Sequence, residues 1–440
     1  MLQGAIALSS SERYRPVDRL LIIDKMTFLG GASMELFNVV SVEEAKEIID
    51  SSFNYELSYE KVNILQSVGR ICFGDIKSEC NIPEFKRSTV DGFAVCSRDV
   101  HGASEGIPSM LLVKGEIFMG KVPPSDISPG ECLYIPTGGM LPKNADSVVM
   151  VEYSHKLDSD TVMIYSPVAV GDNVIQVGED ISAEDIVVKK GDKLRPYEIG
   201  VLASIGISEI TVYKSPRVAI ISTGDEVVPC DVKPKLGEVR DINTNLLWSL
   251  LLEDGIQPVS YGIIKDDYEL LKSTVDTAFK ECDLVLISGG SSVGKKDQTL
   301  KVIKSYGDGE VLVHGIAVKP GKPTIIGKHE EKIIFGLPGH PLACSIIYKI
   351  LVKNYLYSLM AYTDKSYGTS AIMSINYHKA KGREEYLPVE IETTEDKIIA
   401  KPVFGKSGII TAFSKAWGYI KIEKNIEGLK EGQIVKVYRL

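Results

Sequence analysis

From Arg217 the chain alternates between short apolar runs suited to strands and longer runs with helical spacing: RVAIIS, NTNLLWSLLLEDG, QPVSYGII, DYELLKSTVDTAFKEC, DLVLIS, DQTLKVIKSYG and EVLVHGIAV. That rhythm is the signature of a doubly wound, largely parallel α/β sheet. In such sheets ligands bind in the crevice outside the carboxyl ends of the strands, so the loops that follow strands are where function is expected. The loop after DLVLIS is the richest. Gly289 and Gly290 lack Cβ atoms and let backbone N–H groups approach a ligand, and Ser291 and Ser292 add hydroxyl donors. Asp297 stands where the next helix begins, and a helix N-terminus attracts a phosphate without any basic side chain. The alternative is a strand–helix turn with Asp297 as its N-cap. No Gly-Lys-Ser/Thr follows, so the loop is not a P-loop.

The rest of the chain reads differently. Residues 85–195 carry short apolar runs punctuated by Gly and Pro (SMLLVKG, ECLYIPTGG, DSVVMVEY, TVMIYSPV), which predict a β-rich lobe. A short helix (YEIGVLASIG) and a strand (EITVYK) then lead to a boundary near Pro216. The run LACSIIYKILVKNYLYSLM is broken by Lys349, Lys353 and Asn354 and predicts a core helix, not a membrane span. Residues 370–440 return to short strands, suggesting a small barrel or sandwich. Met34 opens a segment in which Ser41 and Glu44 form a capping box and Ala45, Ile48 and Ile49 give the helix an apolar face. Residues 1–33 are expected to be a variable extension, an upstream mis-start or an expression leader. The domains expected are therefore 1–33, 34–215, 216–365 and 366–440.

At 440 residues several cores are expected, and a net charge of −9 argues against a general nucleic-acid binder. Seven cysteines without a C-x-x-C pair give neither a disulfide framework nor a zinc ribbon, so a reducing cytosol is the simplest home.

Four strand-end loops share a logic: Ser222-Thr223-Gly224-Asp225-Glu226, Arg240-Asp241-Ile242-Asn243, the 289–297 loop, and Lys319-Pro320-Gly321-Lys322-Pro323. Carboxylates converging near a phosphate suit Mg²⁺, which keeps waters and takes one or two protein carboxylates. Singly, Asp225 and Glu226 read as solvated turn acids and Asp241 as an N-cap; four clusters at one edge favour a site. Two lysines separated by Pro-Gly suit a tetrahedral oxyanion, although solvated lysines are the commoner meaning of such a turn. In Phe335-Gly336-Leu337-Pro338-Gly339-His340-Pro341 a strand breaks into a helix, with His340 as a capping or ligand-contacting residue.

These blocks, together with PEFKRSTVDGFAV from Pro83, Pro136-Thr137-Gly138-Gly139, NADSVV from Asn144, Gly178-Glu179-Asp180-Ile181, GREEY and SGI, resemble in content and order the MoeA family of molybdenum cofactor synthesis. The resemblance spans residues 34–440 and includes the E domain of gephyrin. It implies a multi-domain α/β plus β protein with a MogA-like doubly wound domain, a β-rich N-terminal lobe and a C-terminal β-barrel. It also implies a cytoplasmic homodimer that inserts molybdate, or tungstate, into adenylylated molybdopterin and releases AMP, with neither nucleic acid nor membrane as partner.

Carried over, Thr223, Gly289, Gly290, Ser291, Ser292, Pro338 and Gly339 would contact substrate, and Glu226, Asp241 and Asp297 would surround Mg²⁺. Asp91 and Thr137 would reach in from the lobe of the other subunit. Lys319, Lys322 and Arg383 would receive the oxyanion, Arg383 by its planar fork. The pterin brings its own sulfurs, so no cysteine ligand is needed. Lys295, His340, Ala343 and Pro388 depart from the family pattern. A MogA/MoaB-like adenylyltransferase and a non-catalytic scaffold are the rival readings.

Overall fold

The computed structural model describes residues 39–53, 55–289, 298–306, 311–365, 367–405 and 408–440. The expectations for Gly290, Ser291, Ser292, Lys295, Asp297 and the extension 1–33 lie outside the described residues.

The alternation from Arg217 builds a six-stranded sheet in the order Gln257–Ile264, Arg217–Thr223, Leu284–Ser288, Lys332–Leu337, Ile325–His329, Val313–His314. The first four strands run parallel, and Ile325–His329 turns back antiparallel. Successive side chains of the inner strands enter different cores. Val218, Ile220, Leu284, Leu286, Ile333 and Phe335 pack on one face, and Ala219, Ile221, Val285, Ile287 and Ile334 on the other. Burial on both faces explains why these strands are apolar throughout, with no polar alternation. The helices Asn243–Glu253 and Tyr268–Glu281 cover opposite faces, Leu247 and Leu251 entering the first core and Leu271 and Val275 the second.

One predicted strand is corrected. EVLVHGIAV is not a single strand: Val313–His314 pairs with Ile325–Ile326, whereas Val318–Lys319 leaves the sheet and pairs in parallel with Glu384–Glu385. Gly315 has φ +103, a conformation that costs glycine little and lets the chain turn out of the sheet. Val40 bridges to Ile316 at this turn.

The predicted core helix is continuous in its coverage, with Pro341–Ile347 and Lys353–Leu359 joined through a π turn at Tyr348–Val352. The capping box is present as read: the Glu44 N–H donates to Ser41 Oγ at 3.1 Å, and the Ser41 N–H donates to Glu44 Oε2 at 2.7 Å. It opens the helix Val42–Ser52, whose Ala45 and Ile49 enter the first α/β core while Ile48 packs at its margin.

Upstream, Tyr59–Asn63 pairs with Glu209–Tyr213 and Ile76–Lys77 with Ile186–Val188, so segments distant in sequence form one support. Between them, residues 92–164 form a six-stranded sheet in which all four apolar runs read from the sequence are strands. At the C-terminal end, Glu384–Thr393, Ile398–Pro402, Thr369–Met373, Ile434–Arg439 and Gly418–Ile422 close into a five-stranded barrel, the last strand pairing back to the first.

Candidate active site

The chain's first parallel strand, Arg217–Thr223, has the second on one side and the third on the other. Connections therefore diverge between Arg217–Thr223 and Leu284–Ser288, and the crevice at their carboxyl ends is the topological switch point. A cavity of about 590 Å³ lies there, lined by strand-end residues including Thr223, Glu226, Asp241, Asn243, Ser288 and His340.

Its floor is a buried polar network. Ser222 Oγ donates to Asp241 Oδ1 at 3.0 Å and lies 2.9 Å from Thr244 Oγ1, while the Thr244 N–H reaches the same Asp241 oxygen at 3.0 Å. Asp241 thus does cap its helix, as the simpler reading held, yet it also faces the cavity. Among the described residues no donor reaches its Oδ2. Asn243 Nδ2 donates to Ser288 Oγ at 2.6 Å and to the Gly339 carbonyl at 2.8 Å, leaving its buried Oδ1 without a partner. An unmatched buried acceptor on a cavity wall is a place for a ligand donor. Thr223 Oγ1, predicted to contact substrate, donates to Asp266 Oδ1 at 2.8 Å. Asn243 and Asp266 were not among the predicted site residues. Their signals were present: Asn243 closes the RDIN block, and Asp266 follows a strand end.

The glycine at 289 lines the cavity and also meets a packing need that the sequence did not show. Its φ is +111, and a Cβ there would stand 2.2 Å from the Thr223 carbonyl oxygen. It lets two strand ends approach closely, a demand that no larger residue meets. Gly224 is similar, since a Cβ would meet Glu226 Oε2 at 2.9 Å, which places that carboxylate against the turn. Pro338 and Gly339 line the cavity, and Gly408 approaches the His340 ring from the C-terminal region. His340 occupies the N-cap position of Pro341–Ile347 without a capping bond from its side chain. Beneath, Cys344 is fully buried, and that burial pushes its thiol up to about 12 while Ser288 beside it pulls the other way. It stays a neutral core thiol.

The remaining predicted residues fall in two groups. On the lobe, Asp91 Oδ1 accepts from the Thr137 N–H at 2.6 Å and from its hydroxyl at 3.0 Å, and the backbone bond above all holds the Asp91 carboxyl below its ordinary range. Neither lines the α/β cavity of its own chain. In the second group, the register Val318–Glu384 and Lys319–Glu385 brings the KPGKP turn beside the segment carrying Arg383. Lys319 Nζ is paired with Glu385 Oε1 at 2.8 Å, and Glu385 also accepts from Tyr377 at 2.6 Å. Lys319, Lys322 and Arg383 do not line the 590 Å³ cavity.

A two-faced sheet with a polar switch-point cavity, a β lobe and a closing barrel defines a multidomain α/β protein built around a polar ligand. Residues 40–206 match the MoeA N-terminal region (domain I and II), 219–358 a family described as "Probable molybdopterin binding domain", and 370–440 the MoeA C-terminal region (domain IV). A Methanocaldococcus jannaschii protein named for molybdopterin biosynthesis is 34% identical, covering 92% of this chain and 98% of its own. A molybdopterin molybdenumtransferase of Staphylococcus epidermidis is 31% identical over 92% of this chain and 96% of its own. The crystal structure of a molybdopterin biosynthesis MoeA protein from Pyrococcus horikoshii OT3 superposes with a TM-score of 0.82 at 30% identity, covering 92% and 100% of the two chains. The chain belongs to the MoeA family.

Proposed function

We propose that this chain is a molybdopterin molybdenumtransferase, inserting molybdate or tungstate into adenylylated molybdopterin with release of AMP. The observation that carries this reading is the switch-point cavity, where Asp241, Glu226 and the orphaned Asn243 Oδ1 meet at converging strand ends. Glu226 and Asp241 suit Mg²⁺, because both are cavity-wall carboxylates and Asp241 keeps one oxygen without a protein donor. Among the described residues no three ligating side chains cluster as a complete metal site. Asp297 is the third ligand proposed. When bound, the ion would supply charge neutralisation for the phosphoanhydride.

In this reading the strand-end backbone and Asn243 orient the adenylylated pterin, and the packed walls hold it in one pose. Lys319, Lys322 and Arg383 receive the oxyanion in a neighbouring subsite. Because Asp91 and Thr137 do not line the cavity of their own chain, we assign them to the cavity of a second copy in a homodimer. No described helix is long and apolar enough to cross a membrane, and a cytoplasmic enzyme is proposed.

The test is AMP release from adenylylated molybdopterin by purified protein with Mg²⁺ and either oxyanion. Asp241→Asn is expected to abolish release at any oxyanion concentration, and Lys322→Ala to raise the oxyanion concentration needed. Adenylylation of molybdopterin from ATP would instead make it the preceding enzyme, and peptide binding without turnover a scaffold.

A further inference from the structure

A second cavity, of about 260 Å³, shares no lining residue with the first. Three elements meet around it: the helix Val42–Ser52, the π turn Tyr348–Val352 with the helix behind it, and the barrel strands Gly418–Ile422 and Ile434–Arg439. Its wall carries five cationic side chains and one carboxylate, that of Asp364.

Two of the cations are already matched. Lys353 is shared by Asp254 at 2.8 Å and Asp364 at 3.4 Å. Lys421 is held by Glu43, Glu384 and Glu423 at 3.2–3.3 Å. The other three, Lys46, Lys349 and Arg439, have no carboxylate or carbonyl partner among the described residues, and each comes from a different element. Tyr419 and Tyr438, stacked with ring centroids 5.8 Å apart, line the same space.

Nothing in the packing of the core calls for three unmatched cations to converge. Lys349 sits within the π turn, a distortion that shifts side-chain direction and recurs at functional sites. Burial, and then the neighbouring Lys353, hold its ammonium below the ordinary lysine range, so an arriving anion would relieve both effects. Glu253, Asp254 and Asp364 act on Lys349 by charge, yet none makes a direct ion pair with it among the described residues, so its donors are left for a ligand. A phosphate carries about −1.5 to −2 at neutral pH and accepts hydrogen bonds in three dimensions, which matches donors arriving from three sides. The space admits such a group and not a length of peptide.

We propose that this cavity is a second anion site, which binds a tetrahedral oxyanion of the phosphate class at the junction of the first helix, the π turn and the barrel. It is independent of the switch-point cavity and of the reaction assigned to it.

The site is tested by soaking crystals of the full chain with tungstate, as a heavy tetrahedral probe, and by calorimetric titration with inorganic phosphate and with AMP. An anomalous peak within hydrogen-bonding distance of Lys349 Nζ is expected, absent in Lys349→Met. Phosphate affinity is expected to fall about ten-fold in Lys46→Gln and in Arg439→Gln, the loss of one charged hydrogen bond each. These two solvent-reaching positions carry the test if Lys349→Met does not fold. Asp241→Asn is expected to leave this binding unchanged, so failure of the catalytic reading and failure of this one are separable. Competition between AMP and inorganic phosphate at the tungstate position marks a nucleotide as the source of the phosphate group, and phosphate binding alone marks the free ion. No peak at saturating tungstate, or phosphate affinity unchanged in both Lys46→Gln and Arg439→Gln, overturns the proposal.

Discussion

Gly289 shows how one residue can carry two demands. Its N–H donates to the Leu337 carbonyl at 3.3 Å, and its missing Cβ admits the Thr223 carbonyl. Gly289→Ala combines a backbone clash with an unfavourable φ, so a loss of about 2 kcal/mol or more is expected, read as a lower urea midpoint. On the lobe, Asp91 is exposed, and its clamp on Thr137 is local. Its folded pKa is depressed, so the clamp is fully formed above the unfolded aspartate value and is lost as pH falls through the lowered one. Carboxyl NMR titration should give Asp91 a midpoint below the reference value of about 3.9. A midpoint at or above the reference would contradict the clamp. The role of glycine at 289 was only half legible in sequence, because the carbonyl it accommodates, that of Thr223, lies sixty-six residues earlier in the chain.

At the scale of elements, local signals and tertiary contacts agree for the helix Val42–Ser52. The capping box starts it, and Ala45 and Ile49 fix its face. Ser41→Ala removes one half of the box and should lower stability by about 1 kcal/mol, seen as a small drop in urea midpoint without change of slope. The helix Pro341–Leu359 has a different anchor. Asp254, at the end of Asn243–Glu253, accepts from Tyr348 at 2.8 Å and Tyr357 at 3.0 Å and pairs with Lys353. Asp254→Ala would leave two buried hydroxyls unmatched and Lys353 with only the longer contact to Asp364, and a loss of about 3 kcal/mol is expected by the same measurement. The strand read at EVLVHGIAV failed because periodicity cannot show which sheet a short apolar pair joins; Gly315 was the visible hint.

Across the whole molecule, Lys421 ties the first helix to the barrel through Glu43, Glu384 and Glu423. Glu384 is buried, and burial raises its carboxyl above the ordinary range while Lys421 opposes that rise. Lys421→Met should destabilise the fold by about 3 kcal/mol near neutral pH, since a buried charge is left unpaired. A carboxyl with a raised folded pKa keeps its stability below the unfolded value of about 4.3 and loses it as pH rises through the folded one. The gap between Lys421→Met and the parent protein should therefore narrow as pH falls toward that value, and a gap constant with pH would refute the assignment. At the same scale, Val318–Lys319 pairing with Glu384–Glu385 fixes the KPGKP turn against the barrel and gives Lys319 its carboxylate partner. Neither contact could be read from spacing, because the partners lie more than sixty residues apart.

By itself, the sequence determined the strand and helix succession, the β lobe, the terminal barrel strands and the strand ends where chemistry would gather. Those follow from periodicity and turn residues, which are local in the chain. The tertiary structure alone decided which strands neighbour one another, and hence that Asp241, Asn243, Ser288 and Gly289 share one crevice while Asp91 and Thr137 stand apart from it. It also decided that three unmatched cations converge at a second cavity. The physical reason is the same in each case: a polar group's role depends on its partners, and partners are assembled by packing across long sequence separations.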